Sequence, residues 1–182
     1  LGTGVGGGII IDGKIYAGMR SAGAELGHTL LVLDGEQCSC GRRGCWETYS
    51  SATALIRQTK AAMEKDPDSL MWKLVDGDMT KVEGRTSFDA AQQGDATAQA
   101  VVDRYAEYLA CGLVNVINVF QPDIVCVGGG VCRQGENLLG PVRKMIQRDR
   151  YSKYCQKQTE LCVAQLGNDA GIVGAACLGE NA

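Results

Sequence analysis

Cys38, Cys40 and Cys45 lie within eight residues of one another and follow His28, the one histidine in a chain of 182 residues. One imidazole and three thiolates make a closed tetrahedral donor set suited to structural zinc, with no coordination position left for a catalytic water. Gly41 and Gly44 supply the backbone freedom that lets so short a loop wrap an ion. The alternative is an ordinary imidazole beside free thiols, but a sole histidine next to a tight cysteine cluster favours metal.

Two carboxylates flank this cluster, Glu25 three residues before His28 and Glu47 two residues after Cys45. Folding the segment around one ion brings both to the same place, where carboxylates beside an imidazole can accept hydrogen bonds from sugar hydroxyls. The residues alone also allow a solvated Glu25, and a Glu47 that merely occupies the first turn of the next helix, where the dipole favours it.

Two glycine sites could hold phosphate. In Gly2-Thr3-Gly4-Val5-Gly6-Gly7-Gly8, Gly2, Gly4 and Gly7 match the dinucleotide spacing G-x-G-x-x-G. That fingerprint must open a helix, whereas these glycines run into Ile9-Ile10-Ile11 and the pair Asp12-Gly13. A hairpin turn whose N–H groups and Thr3 hydroxyl meet phosphate oxygens fits better; a bulged strand entry is the plainer reading. Gly128, Gly129 and Gly130 follow an apolar run. Such a turn admits a flat ring or phosphate at the carboxyl end of a strand, or simply packs a strand closely against a helix.

The elements that must position these residues follow from periodicity. Residues 1–17 read as two paired strands around the Asp12-Gly13 turn. A third strand is expected at residues 29–33, just before the cysteine loop. Ser50-Ser51 can cap a helix that ends at Asp66-Pro67, and short helical pieces are expected around Met71 and Phe88. Apolar residues from Ala98 to Phe120 recur at three and four, which predicts a long central helix ending at Gln121-Pro122. A buried strand at 123–127, a helix near 136–148, a strand at 160–166 and a terminal helix through Leu178 complete the order. We therefore expect one α/β domain over residues 1–182, with a mixed sheet flanked by helices.

Composition bounds the function. Lys and Arg total 18 against 21 Asp and Glu, for a net charge of -3. No run of five or six basic residues appears, so no nucleic-acid partner is expected, and no membrane span or signal peptide is recognised. The chain starts at Leu1 with a glycine-rich loop, which gives it the look of a piece of a longer protein. Nine cysteines is an odd number, and the six outside the cluster are scattered through apolar stretches. They read as reduced packing residues of a cytoplasmic protein.

The ordered landmarks Gly2 to Gly8, Glu25-Leu26-Gly27-His28, Cys38-Ser39-Cys40-Gly41-Arg42-Arg43-Gly44-Cys45-Trp46-Glu47, Asp123 to Val131 and Leu166-Gly167-Asn168-Asp169-Ala170-Gly171 resemble those of the ROK family of sugar kinases and sugar-responsive repressors. The resemblance spans essentially the whole chain. It implies the carboxy-terminal lobe of an actin-like (ribonuclease H-like) ATPase fold. It further implies zinc at His28, Cys38, Cys40 and Cys45, sugar contacts from Glu25, His28 and Glu47, and ATP contacts at Gly2, Thr3, Gly4, Gly128, Gly129 and Gly130. ATP would come with Mg²⁺, and the partners would be a hexose, ATP and a second copy in a homodimer.

The family's Asp-x-Gly-Gly-Thr phosphate loop and its catalytic Asp belong to an amino-terminal lobe and are not found in this sequence. No catalytic residue is therefore expected in this chain, which alone should be inactive. Within the family the wording of residues 128–141 and 167–174 is most similar to bacterial glucokinases, which implies phosphorylation of glucose at its 6-hydroxyl. The alternative is a sugar-responsive repressor with its DNA-binding part upstream. A zinc-stapled interaction module without a ligand is a third reading.

Overall fold

A computed structural model describes residues 1–178. The fold is organised around one long helix, α5 (Ala96–Phe120), against which α6 (Glu136–Asp149), α4 (Thr86–Gln92), α2 (Ala52–Lys65) and α1 (Glu47–Ser50) pack. The three-and-four spacing buries Val101, Tyr105, Leu109, Leu113 and Ile117 on one stripe of α5. These join Leu138, Leu139, Val142 and Ile146 of α6 in the main core. A smaller core of Met63, Met71, Val75, Val82, Ala90 and Ala98 lies under α3 (Leu70–Leu74) and α4.

Helix boundaries follow local chemistry. Ser51 accepts from Ala54 N–H at 3.0 Å and starts α2, as its sequence position predicted. Gln121 turns left-handed (φ 42°) ahead of Pro122 and stops α5. Asp95 caps α5 through Ala98 N–H at 2.7 Å, and its other oxygen accepts from Ser69 Oγ at 2.8 Å and Leu70 N–H at 2.5 Å. Burial opposes the charge on this carboxylate, yet the donors from Ala98, Ser69 and Leu70 outweigh it and hold the Asp95 pKa below its ordinary value.

The strands are shorter than expected, and they do not form one mixed sheet. Among the described residues β1 (Ile10–Ile11) and β2 (Lys14–Ile15) form an antiparallel hairpin, while β3 (Ile124–Val127) and β4 (Glu160–Val163) form a separate parallel pair. The hairpin turn is the predicted one, with Asp12 and Gly13 both at positive φ (53° and 74°) and Ile10 opposite Ile15. Residues 1–8 do not pair as a strand, and the backbone of residues 1–5 is hydrogen-bonded to Gly128, Glu47 and the start of α2 instead.

Residues 29–33 are likewise no strand. Leu31 and Val32 N–H both donate to Gly44 O, at 2.8 and 3.1 Å, and Leu30 bridges Cys45, so the cysteine loop takes the donors a sheet would have used. The run at β3 is covered on one face only. Val127 is buried against the core whereas Ile124 is 58% exposed, since a two-stranded ladder with helices on one side cannot enclose both faces. The last helix, α7 (Ala170–Leu178), follows a single 3-10 turn at Gly167–Asp169.

Two outcomes check this architecture. A methyl at Gly112 would sit 1.9 Å from the Trp46 ring, so Gly112→Ala should cost about 1–3 kcal/mol of stability by overpacking, measured by denaturant unfolding. Asp95, with its lowered folded pKa, contributes stability that is present above the unfolded value of about 3.9 and lost as pH falls below it. The drop in unfolding midpoint between pH 7 and pH 3 should therefore shrink in Asp95→Asn.

Candidate metal centre and the adjoining glycine loops

His28, Cys38, Cys40 and Cys45 converge as their spacing predicted, with one donor atom of each within 4.8 Å of all the others. Cys38 Sγ lies 3.6 Å from His28 Nδ1, and Cys40 Sγ lies 3.6 Å from Cys45 Sγ. Sulfurs bound tetrahedrally at a Zn–S distance of about 2.3 Å stand roughly 3.8 Å apart, so the donor set fits zinc. Cys38 and Cys45 are buried and Cys40 is exposed.

Burial pushes the Cys45 thiol up to about 12, reinforced by the neighbouring sulfurs of Cys40 and Cys38. Cys40 moves the other way, lowered first by the Arg42 backbone N–H and then by Cys38. A divalent ion shared among three crowded sulfurs would supply the positive charge that favours their thiolate forms.

Backbone hydrogen bonds build the cage. His28 ends the 3-10 turn Leu26–His28, where His28 N–H donates to Glu25 O at 3.1 Å. Cys38 N–H donates to Arg42 O at 2.8 Å, and Gly44 N–H to Glu36 O at 2.8 Å. Gly44 has φ 81°, and a Cβ there would lie 1.7 Å from Val32 O, so no other residue fits without displacing the loop. Behind the cage, Trp46 Nε1 donates to Tyr108 O of α5 at 3.1 Å and the Tyr49 hydroxyl accepts from Glu36 N–H at 2.7 Å.

Glu47, one residue beyond Trp46, points at the first glycine loop. Its Oε2 accepts from Val5 N–H at 2.8 Å, and a Cβ at Gly4 would lie 2.2 Å from that oxygen. Gly27 in turn touches Val5, whose carbonyl would stand 2.0 Å from a Cβ on it. Val5 therefore sits between Glu47 and the turn that carries His28. Glu25 is exposed at the start of that turn.

The loop of Gly2, Thr3 and Gly4 is held by its carbonyls. Ala52 N–H donates to Gly2 O at 2.8 Å and Thr53 Oγ1 to Thr3 O at 2.9 Å. With Ala54 N–H taken by Ser51, these donors of the α2 start are occupied, and Gly2 N–H donates to Gly4 O at 3.0 Å, so binding of a phosphate here would fall to the N–H groups of Thr3 and Gly4. The second glycine site meets the first. Leu1 N–H donates to Gly128 O at 2.6 Å, and a Cβ at Gly129, with φ 101°, would lie 2.2 Å from Leu1 O. A cleft of about 480 Å3 opens beside them, bounded by Val5, Leu26, Trp46 and Gly128.

The tertiary fold thus joins the cage, Glu47 and both glycine loops in one continuous region. The sequence reading missed Val5, Trp46 and Tyr49. Trp46 and Tyr49 carried one usable signal, since they are aromatic residues immediately next to the metal loop.

Comparisons with known proteins bear on this arrangement. The family profile described as ROK family matches residues 1–182. Glucokinase of Thermotoga maritima is 40% identical over 178 residues, covering 98% of this chain and 56% of that protein. A xylose repressor of Caldicellulosiruptor bescii is 29% identical over 177 residues, covering 96% of this chain and 43% of the repressor. Among solved structures, a ROK family glucokinase from Streptomyces griseus in complex with glucose and AMPPNP superposes with a TM-score of 0.89 at 40% identity, covering 98% of this chain and 58% of that one. The chain spans about half the length of the curated glucokinases it matches.

If the cage is a zinc site, protein purified without chelators should carry one zinc ion per chain by elemental analysis. Cys45→Ala should lose it and lower the thermal midpoint, while Cys111→Ala should keep it; a metal-free wild-type protein would remove the assignment.

Proposed function

Because this chain belongs to the ROK family, we propose that residues 1–182 form a single domain, the carboxy-terminal lobe of an ATP-dependent hexose kinase acting on the 6-hydroxyl of glucose. The observation that carries the reading is the position of Glu47. Its carboxylate lies between the cysteine cage and the Gly2 loop and holds Val5 N–H, so a sugar bound at Glu47 would adjoin the loop assigned to phosphate. The 40% identity to glucokinases over almost the whole chain supports the same choice.

In this proposal His28, Cys38, Cys40 and Cys45 hold zinc, which supplies rigidity rather than chemistry. His28 meets Cys38 through Nδ1, which leaves Nε2 for a sugar hydroxyl, and a metal on one ring nitrogen fixes the orientation of the other. Glu25 and Glu47 accept further hydroxyls. The backbone at Gly2, Thr3 and Gly4 meets the ATP phosphates, and Gly128, Gly129 and Gly130 border the adenosine. Mg²⁺ would accompany the nucleotide, and no residue of this chain is assigned to it.

Phosphoryl transfer depends on positioning both reactants and stabilising charge from both sides of a cleft. The catalytic base is therefore placed in the other half of the longer protein, and this half supplies zinc, sugar and part of the nucleotide contacts. Among the described residues no helix is long and apolar enough to cross a membrane. A cytoplasmic setting and a homodimer belong to the same proposal.

The match to xylose repressors favours one second reading, a sugar-responsive regulator that keeps the cage and sugar contacts. The two readings part at the residues preceding Leu1, where a kinase needs an Asp-x-Gly-Gly-Thr loop and a repressor needs a DNA-binding helix-turn-helix.

In the full-length protein, Glu47→Gln should weaken glucose binding by about 10-fold or more, because a hydrogen bond to a charged group contributes roughly 1.5–3 kcal/mol. Calorimetry reads it, and an unchanged affinity would sink the sugar assignment. The 182-residue chain alone should form no glucose 6-phosphate from glucose and ATP.

A further inference from the structure

Outside the cage, six cysteines remain, and two of them face each other. Cys126 on β3 and Cys162 on β4 are direct register partners in the parallel ladder. Side chains at paired positions of neighbouring strands leave the sheet on the same side. Here that side is the one opposite the core, since the flanking residues Val127 and Leu161 are buried while Cys126 is exposed and Cys162 half-buried. Neighbouring strands run about 4.8 Å apart, inside the Cα separation of about 4.4–6.8 Å that a disulfide spans. Cys132 is close by but buried, and Cys155 lies by Gln121, so neither competes for this pairing.

We propose that Cys126 and Cys162 form a dithiol site that exchanges with low-molecular-weight disulfides and closes to a disulfide across β3 and β4. The two thiols are not equivalent. Burial and the adjacent Cys162 keep the Cys126 thiol above its usual pKa, while Cys126 is the more exposed of the two side chains. A small disulfide can therefore reach either sulfur from the open face of the ladder.

With oxidised glutathione as the reagent, the thiolate of one of the two cysteines displaces one glutathione thiolate and forms a mixed disulfide. The other thiol then gives up its proton to solvent and attacks that cysteine's sulfur, releasing the second glutathione. Two protein thiols are oxidised to one disulfide, and one glutathione disulfide is reduced to two thiols.

The position gives the bond a consequence. Cys126 lies two residues before Gly128, where Val127 O accepts from Ala164 N–H at 2.8 Å and a Cβ on Gly128 would stand 3.1 Å from Ala164 Cβ. The spacing of β3 and β4 thus sets where Gly128 O meets Leu1. A covalent link at Cys126 and Cys162, one register pair behind Val127 and Val163, fixes that spacing near the root of the glycine turn. This consequence concerns the backbone at Gly128 and does not depend on what the turn binds.

The test is covalent and stands apart from any kinase assay. Zinc-loaded full-length protein is incubated with oxidised glutathione, residual thiols are alkylated, and peptides are read by mass spectrometry. A linked peptide joining Cys126 to Cys162, reversed by dithiothreitol, is expected, with Cys126→Ser leaving a stable glutathione adduct on Cys162. Amide exchange at Gly129 and Gly130 should slow several-fold in the oxidised form. Linkage of either cysteine to another partner, or glutathione adducts that persist on both wild-type thiols, overturns the site. Unchanged exchange at Gly129 and Gly130 in fully linked protein overturns its influence on the turn.

Discussion

The contact on which this architecture depends is the indole of Trp46 lying across Gly112 in the middle of α5. The helix has no side chain there, so the ring approaches the backbone closely, and its Nε1 proton goes to Tyr108 O one turn earlier. A buried aromatic with its polar atom satisfied is a strong and directional anchor. Cys45 precedes it and Glu47 follows it, so one contact fixes a cage donor, the loop's attachment to the core and the carboxylate that faces Val5.

The cage and the core stabilise each other through this joint. Residues 28–45 contain few apolar side chains that reach the core, and their order comes from backbone hydrogen bonds and from four convergent donor atoms. Segments with so little buried apolar area need a cross-link or an ion to stay ordered. Tyr49 adds a second tether, since its hydroxyl takes Glu36 N–H while its ring packs on Tyr108 with centroids 4.8 Å apart.

From Glu47 the same constraint passes to the glycine loops. Gly4 and Gly27 must lack side chains because Val5 passes between Glu47 and the His28 turn, and Gly129 must lack one because Leu1 crosses it. Some of these glycines are therefore explained by close packing alone, with Glu47, Val5 and Leu1 as the neighbours rather than a bulged strand at Gly4 or a helix at Gly129.

The sequence by itself determined what local chemistry can specify. The His28 and cysteine cluster, the Asp12-Gly13 turn, the Ser51 cap and the full extent of α5 were legible because each depends on residues close in the chain or on an unbroken period. Only the tertiary structure decided that residues 29–33 serve the cysteine loop instead of a sheet, that β3 is half-covered, and that Gly4, Gly27 and Glu47 converge on Val5. The physical reason is that backbone donors and buried space are claimed competitively by segments far apart in sequence. A run of β-prone residues cannot reveal that its donors will be taken by a glycine carbonyl such as Gly44 O, and a glycine cannot reveal which distant chain will lie against it.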